Sequence, residues 1–275
     1  MKISFVKMSG AGNDFVVVDN RSGIITDPAA FTVRVCERRF GIGADGTLMV
    51  ESHGTAGFTM KYYNADGSNA GMCGNGGRCI ARFAFDAGIV TSERFTFEAF
   101  GHIYSAERLQ QDRYRLWMKD PSGFRDTHDV AMNERSIKSL YLNTGTDHAV
   151  VFLEDNPNLG PMDQLDVTGI GRPMRYHEAY APKGTNVNFV RVTGDKSIQI
   201  RTYERGVEDE TLACGTGSIA SAVVATMKGK VIGPVAVTVR SGEILEVGFE
   251  QNGSGYKNVT LTGSAYETFR GTIEL

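Results

Sequence analysis

The sequence contains the same short motif twice, and this repeat constrains the fold more than any other feature. CGNG begins at Cys73 and CGTG begins at Cys214. When the chain is aligned on itself at that spacing, further identities continue without a gap on both sides of the motif. They pair Tyr62 with Tyr203, Gly74 with Gly215, Gly76 with Gly217, Ala81 with Ala222, Gly101 with Gly242 and Ile103 with Ile244. Such self-similarity indicates a repeated structural unit. We therefore expect two similar domains.

The hydrophobic pattern is the same in both copies and predicts the same elements. Residues 58–67 and 197–206 begin with the alternation typical of strands. A helix pattern follows each cysteine, with Gly88 and Gly229 as the stop signals. Both helices are nearly apolar all round, as expected for a helix wrapped by a sheet. The predicted fold class is α+β, with two pseudosymmetric domains, each a curved, mostly antiparallel sheet around a central helix.

The polar, turn-rich segment 119–129 separates the two copies and gives the expected domain limits. We expect an N-terminal domain over 1–118 and a C-terminal domain over 119–263. The final residues, 264–275, lie beyond the repeat and are expected to return to the first domain as a strand. Near two-fold symmetry would make the two repeat cysteines face one another, which predicts an active site in the interdomain cleft.

Composition narrows the class of protein and its partners. Of 275 residues, 41% are apolar and 22% charged, with a formal net charge of -3 and no block of Lys or Arg. This argues against nucleic acid or a membrane as a main partner. No segment suits a signal peptide or a membrane span, so we expect a cytoplasmic enzyme. The cysteines form no CxxC pair, which argues against a metal site, and Cys36 and Cys79 are interpreted as buried apolar residues.

The position of each repeat cysteine suits acid–base chemistry. A thiol before the first turn of a helix lies near free N–H groups and the positive end of the helix dipole, which can lower a thiol pKa from about 8.5. The following glycines let the backbone approach and hold a carboxylate. Either motif alone is more typical of a turn with a buried cysteine. Two facing thiols, one ionised and one protonated, can invert a stereocentre by taking a proton from one face and giving one to the other.

Several segments of the chain resemble the diaminopimelate epimerase family. They are SGAGNDF, GIGADG, NADGS with MCGNGGRC, NVNFV, and ERG with ETLACGTG. The resemblance runs nearly end to end. It implies an isomerase that interconverts LL- and meso-diaminopimelate in lysine and peptidoglycan precursor synthesis, without pyridoxal phosphate or any other cofactor. The small-molecule substrate is the expected partner, and homodimerisation is a further expectation.

The resemblance also implies roles for individual residues. Cys73 and Cys214 correspond to the catalytic acid–base pair. The residues that resemble substrate-binding positions are Asn13, Asn64, Gly74, Asn75, Asn186, Glu204, Arg205, Gly215 and Thr216. His148 is a further candidate for orienting substrate or tuning a thiol, and Gly46 stands where some relatives have glutamine. The chain departs from the family pattern in NTGTDHAVVF, where Thr146 replaces a commonly Asn or Ser position and Asp147 stands where proline is usual.

Three alternative functions are compatible with parts of this pattern. A two-cysteine racemase acting on proline or hydroxyproline would share the chemistry but would not need a second charged end in its substrate. A thiol redox sensor or metal-binding protein would need cysteine spacings that the chain lacks. A non-catalytic relative is the weakest alternative, because both cysteines are present. Asn64, Asn186 and Arg205 favour the longer zwitterion.

Overall fold

The fold consists of two units, each formed by one copy of the repeat. The structure, a computed structural model, describes residues 2–126, 129–132, 135–253 and 255–274. Residues 127 and 128 of the expected linker, and residues 1 and 275 at the expected domain ends, lie outside the described residues. The first unit comprises residues 1–117 and 262–275, and the second comprises 118–261.

The first unit is built mainly of strands with two helices. Its elements before the second unit are β1 (Lys2–Gly10), β2 (Asn13–Asp19), α1 (Pro28–Cys36), β3 (Gly46–Glu51), β4 (Thr59–Asn64), α2 (Gly74–Asp86), β5 (Arg94–Ala99), β6 (His102–Arg108) and β7 (Arg113–Trp117). Proline at the first position of α1 and the Asp27 carboxylate, which accepts from the Ala30 amide, begin that helix.

The second unit is likewise built mainly of strands around a few helices, with more strands than the first and several short 3-10 turns in addition. Its elements are β8 (Ser122–Arg125), β9 (Val130–Met132), β10 (Arg135–Ile137), β11 (Leu140–Asn143), β12 (Asp147–Phe152), α3 (Val167–Arg175), β13 (Asn186–Gly194), β14 (Ser197–Glu204), β15 (Asp209–Thr211), α4 (Gly215–Met227), β16 (Val235–Thr238), β17 (Ile244–Asn252) and β18 (Gly255–Ser264), whose residues after 261 belong to the first unit. The last strand, β19 (Tyr266–Glu274), belongs to the first unit and pairs antiparallel with β1.

Strand pairing follows one scheme in both units. In the first, β19, β1 and β2 pair antiparallel, β2 and β3 parallel, β3 and β4 antiparallel, β4 and β5 parallel, and β5 and β6 antiparallel. In the second, β8, β11, β12, β13, β14, β16 and β17 pair in the same order of directions. The expectation of two repeated, mostly antiparallel domains is confirmed.

The central helix of each unit starts and stops at matching residues of the repeat. α2 packs on β1, β2, β3 and β7, and α4 on β11, β12, β13, β14 and β17. Gly88 and Gly229 follow the helices at φ of 66° each, where a side chain would be strained, so the predicted stops are confirmed. The two helices differ in one respect. α4 contains no charged residue, and the polar side chains it buries are the hydroxyls of Ser218 and Ser221, whereas α2 buries the charged side chain of Arg78 completely.

Within the described part of the chain, no helix is long and apolar enough to cross a membrane.

Candidate active site

Cys73 caps the N-terminus of α2. Its backbone is extended, with φ of -109° and ψ of 120°, and its Sγ accepts from the Gly76 amide at 3.5 Å. This is the arrangement of a helix N-cap, in which a side-chain acceptor satisfies an N–H group that has no partner within the helix. The sulfur therefore lies where the backbone favours negative charge. The side chain is half-buried.

A chain of amide contacts connects the first turn of α2 to the start of β2. Asn75 is fully buried, and its Nδ2 donates to Asn13 Oδ1 at 2.6 Å. Asn13 Nδ2 donates in turn to Asp45 Oδ2 at 3.2 Å, and Arg38 bridges Asp45 and Asp14. These contacts fix which end of each amide is the donor. Asn13 and Asn75, both expected at the site, thus lie together.

Arg78 lies beneath this turn. Its guanidinium donates to Asn75 Oδ1 at 2.8 Å, to the Gly74 carbonyl at 3.2 Å and to the Ser264 carbonyl at 3.2 Å. The side chain is 0% exposed. A buried charge with several hydrogen bonds specifies the conformation of what it holds. The first turn of α2, which carries Cys73, is therefore supported from within the core.

Asn64 and Gly46 lie opposite one another where β4 ends and β3 begins. Asn64 Nδ2 donates to Ser68 Oγ at 3.1 Å, and Ser68 Oγ donates to Asp66 Oδ1 at 2.6 Å. These hydrogen bonds orient the Asn64 amide so that its nitrogen faces Ser68 and its oxygen points away from Ser68. Gly46 has a packing reason of its own, because a Cβ there would come within 2.5 Å of the Tyr63 carbonyl oxygen.

Cys214 caps α4 in the matching place, but its neighbours differ. Its backbone is also extended, at φ -117° and ψ 110°, and the side chain is buried. Its side chain makes no capping hydrogen bond to the helix among the described residues, and the Thr216 Oγ1 atom lies 3.5 Å from the sulfur. Thr216 is also held through its carbonyl, which accepts from Thr144 Oγ1 at 3.1 Å. The hydroxyl next to this sulfur can donate to a thiolate or accept from a thiol.

His148 connects to that hydroxyl through Thr146. Asn188 Nδ2 donates to the Ala149 carbonyl and to His148 Nδ1, at 3.0 and 3.1 Å, so Nδ1 is the acceptor nitrogen. The proton of the neutral ring then lies on Nε2, which donates to Thr146 Oγ1 at 2.9 Å. Thr146 Oγ1 donates to Thr216 Oγ1 at 3.3 Å.

Burial also determines the charge of His148. The ring is 0% exposed, and burial lowers its pKa to about 3, so it is neutral at physiological pH. His148 is therefore a fixed hydrogen-bond donor to Thr146, whose hydroxyl donates in turn to Thr216.

Glu204 and Arg205, adjacent in the chain, have different partners. Burial raises the pKa of Glu204, whose Oε2 accepts from Thr211 Oγ1 at 2.9 Å. The hydrogen bond from Thr211 offsets only part of the cost of burying this carboxylate, so the carboxylate is suited to bind an ammonium group. Arg205 forms an ion pair with Asp147 at 3.1 Å. Asn186, expected to bind substrate, is 4% exposed and bridges the backbones of Asp147 and Arg205.

The structure thus groups the expected residues by unit. Asn13, Gly46, Asn64 and the start of α2 belong to the first, and His148, Asn186, Glu204, Arg205 and the start of α4 to the second. Sequence reasoning missed Asp147 as a partner of Arg205, because 58 residues separate them. No group of His, Cys, Asp and Glu side chains suitable for a metal ion occurs among the described residues.

Comparison with known proteins identifies relatives over the whole chain. The family model described as diaminopimelate epimerase matches residues 5–121 and 140–266. A diaminopimelate epimerase of Chlorobaculum tepidum is 44% identical over 98% of this chain and 100% of its own length. One of Aquifex aeolicus is 38% identical over 98% of each chain. A solved hydroxyproline epimerase from Agrobacterium vitis is 15% identical, with a TM-score of 0.71 over 100% of this chain and 93% of that one, and shares the fold.

Proposed function

Because the chain belongs to the diaminopimelate epimerase family, we propose that it interconverts LL- and meso-diaminopimelate with Cys73 and Cys214 as its two proton carriers. The observation that supports this most directly is the pair of N-cap cysteines. Each caps the central helix of its unit, and the helices occupy matching stretches of the repeat, Gly74–Asp86 and Gly215–Met227. The family places the activity in lysine biosynthesis.

The proposed reaction moves one proton off the α-carbon and another onto it. A thiolate removes the α-proton and becomes a thiol, while the electron pair of the broken C–H bond passes into the adjoining carboxylate as an enolate-like anion. The second thiol then donates its proton to the opposite face of the carbon and becomes a thiolate. Atoms and charge balance without a redox change. The two thiols titrate as a pair, so no single pKa belongs to either.

Helix N-termini are suitable for the charge that develops in this reaction. The amides that follow each cysteine, at Gly74 and Asn75 in one unit and Gly215 and Thr216 in the other, have no helical partners. In the proposal they bind the carboxylate of the reacting end, where preorganised donors stabilise the enolate-like anion. In the proposal one thiol acts on each face of the α-carbon.

The other end of diaminopimelate also carries an ammonium and a carboxylate group. We assign the carboxylate to Arg205 and the ammonium to Glu204 and the amide oxygens of Asn13 or Asn64, because these types match the charges. Asn186 takes part through its hold on the Arg205 backbone, with Oδ1 accepting from the Arg205 amide at 2.8 Å. A substrate with only one charged end would leave Arg205 and Glu204 without a ligand.

A direct assay tests the proposed activity. Purified protein incubated with LL-diaminopimelate should form the meso isomer without added pyridoxal phosphate or metal, and L-proline should not racemise. Cys36→Ala serves as the matched control for Cys73→Ala, because Cys36 is a buried thiol of the same unit whose pKa burial raises. Conversion of proline but not diaminopimelate would reject the proposal, as would full activity in Cys73→Ala.

The remaining expectations concern location and assembly. We propose that the enzyme works in the cytoplasm, where reducing conditions keep the thiols that the mechanism needs in their reduced form. Homodimerisation stays a prediction, which sedimentation velocity at several protein concentrations would test.

A further inference from the structure

Asp147 occupies a position where three side chains meet. It is the first residue of β12, opposite Asn143 of β11. Its Oδ1 accepts from the Tyr141 hydroxyl and from Asn143 Nδ2, and its Oδ2 accepts from Arg205 Nη1 at 3.1 Å. Burial acts to raise the pKa of Asp147, but the donors from Tyr141, Asn143 and Arg205 outweigh it and hold the pKa below its ordinary value. Asp147 is therefore an anion fixed in one orientation.

Arg205 is held along one side only. Its Nη1 faces Asp147 Oδ2 and the carbonyls of Gly184 and Lys183, at 3.1, 3.3 and 3.4 Å. Among the residues that the structure describes, none forms a hydrogen bond with Nε or Nη2 of Arg205. The Nε–Nη2 edge is the fork that binds a carboxylate by two parallel hydrogen bonds. Asp147 thus occupies the other nitrogen and leaves this edge available.

The backbones of the two residues are tied together as well. Asn186 Nδ2 donates to the Asp147 carbonyl at 2.9 Å, and Asn186 Oδ1 accepts from the Arg205 amide at 2.8 Å. Backbone and side-chain contacts therefore link the start of β12 to the turn after β14. Both side chains of the ion pair are largely shielded from solvent, at 17% exposure for Asp147 and 25% for Arg205, so the pair is less screened than a surface salt bridge.

We propose that Asp147 is a positioning residue for substrate recognition: it holds Nη1 of Arg205 so that the Nε–Nη2 edge meets the carboxylate at the non-reacting end of diaminopimelate. The inference rests on the proposed function. The alternative is that Asp147 competes with the substrate for Arg205. A competitor would occupy the fork itself, whereas Asp147 contacts a single nitrogen.

The two possibilities predict opposite changes in KM. A contact with the non-reacting end of the substrate is made equally in the ground state and the transition state. Its loss therefore raises KM and leaves kcat unchanged. Positioning therefore predicts that Asp147→Asn and Asp147→Ala raise KM for LL-diaminopimelate about ten-fold, with kcat within about two-fold, since a charge-assisted hydrogen bond has about that effect on binding. Asp147→Glu, which keeps the charge, should recover part of the loss.

The experiment measures kcat and KM of the full chain for these variants with a matched control and a double-mutant test. Asp195→Asn makes the same change in an exposed turn and should leave both constants unchanged. In an Arg205→Lys background, which lacks the fork, Asp147→Asn should lower kcat/KM by less than about two-fold. Thermal melting of each variant separates altered recognition from loss of folding, and Asp147→Asn, which keeps the shape, remains informative if Asp147→Ala does not fold.

Each outcome either supports or overturns the inference. A lower KM in Asp147→Asn would show competition, an unchanged KM would remove any role in recognition, and an equal loss in the Arg205→Lys background would show that Asp147 does not act through Arg205. A wild-type protein that does not convert LL-diaminopimelate would instead reject the proposed function. If the wild type is active and the Asp147→Asn variant has the same kcat and KM, only this inference is rejected and the proposed function stands.

Discussion

Cys73 and Cys214 cap matching helices but receive their hydrogen bonds from different groups. Cys73 Sγ accepts from a backbone amide, Gly76 N–H, which can only donate. Cys214 Sγ lies next to the Thr216 hydroxyl, which can donate or accept and is linked to His148 through Thr146. The two copies of the repeat therefore share the backbone position of the thiol and differ in the group beside its sulfur.

The support beneath the two helix starts differs in the same way. Arg78 and Ile219 occupy the same position of the repeat, and both are fully buried. Arg78 holds Asn75 and the Gly74 carbonyl through hydrogen bonds, whereas Ile219 can only pack. The first unit supports its helix start with the buried charge of Arg78, whereas the second has a buried isoleucine at that position and a polar chain through His148 to one side. The comparison shows that one fold can hold a thiol at a helix start by either means.

Removal of either cysteine should have the largest effect. In Cys73→Ala and Cys214→Ala, one of the two proton carriers is missing, so kcat/KM for epimerisation should fall by at least about 10³-fold. Coupled assays from the LL and meso isomers measure this, with Cys36→Ala close to wild type. A variant that keeps more than about a tenth of the activity would show that the two thiols are not both required.

Replacement of Arg78 should destabilise the first unit far more than the matching change in the second. Arg78→Met removes the donors to three acceptors, two of them in fully buried hydrogen bonds, and should lower the free energy of unfolding by about 3 kcal/mol or more. Ile219→Met keeps the volume and should cost less than about 1.5 kcal/mol. Urea unfolding of both variants measures the difference. Equal losses would contradict the contrast between a buried arginine and a buried isoleucine at this position of the repeat.

His148 should make stability depend on pH, and its replacement should remove that dependence. The pKa of His148 is about 3 in the folded protein and about 6.5 when unfolded. Below pH 6.5 the unfolded chain therefore binds the extra proton, and the folded state loses stability as pH falls toward 3. In His148→Gln this loss should be smaller by up to about 3 kcal/mol at pH 4. Urea titrations at pH 7, 5 and 4 measure the free energy of unfolding of both proteins. If that free energy changes with pH by the same amount in both, burial does not keep the ring neutral.

The smallest expected effect concerns the hydroxyl beside Cys214. Thr216→Val keeps the shape but cannot hydrogen-bond to either form of the sulfur, so kcat should fall about ten-fold. The pH–rate profile should also shift, because the thiolate loses a donor. Thr226→Val, a change of the same type in the last turn of α4, where the hydroxyl donates to the Ala222 carbonyl of its own helix, is the matched control. Equal activity of the two variants would mean that the Thr216 hydroxyl does not assist Cys214.

The internal repeat and short sequence motifs predicted the units and their central helices, but they did not predict side-chain contacts between residues far apart in the sequence. The repeat gave the number of units, and the motif with its glycine stop gave both helices and their cysteine caps, because these depend on a few adjacent residues. The Asp147–Arg205 pair and the chain from Asn188 through His148 to Thr216 join different strands and a helix start. The sequence around each of these residues does not predict such a contact. Asp147 was visible only as a departure from the family pattern, and its partner came from the fold.

Solvent labelling tests the central claim, that one thiol serves each face of the substrate. The reaction is run in deuterium oxide, separately from the LL and meso isomers, and followed by mass spectrometry during the first turnovers. Since the abstracting thiol keeps the proton while the opposite thiol delivers a solvent deuteron, the account predicts label at the inverted carbon of the product and much less in recovered substrate. Label that enters recovered substrate as fast as product, from both isomers, would show a single base acting on both faces and would contradict the account.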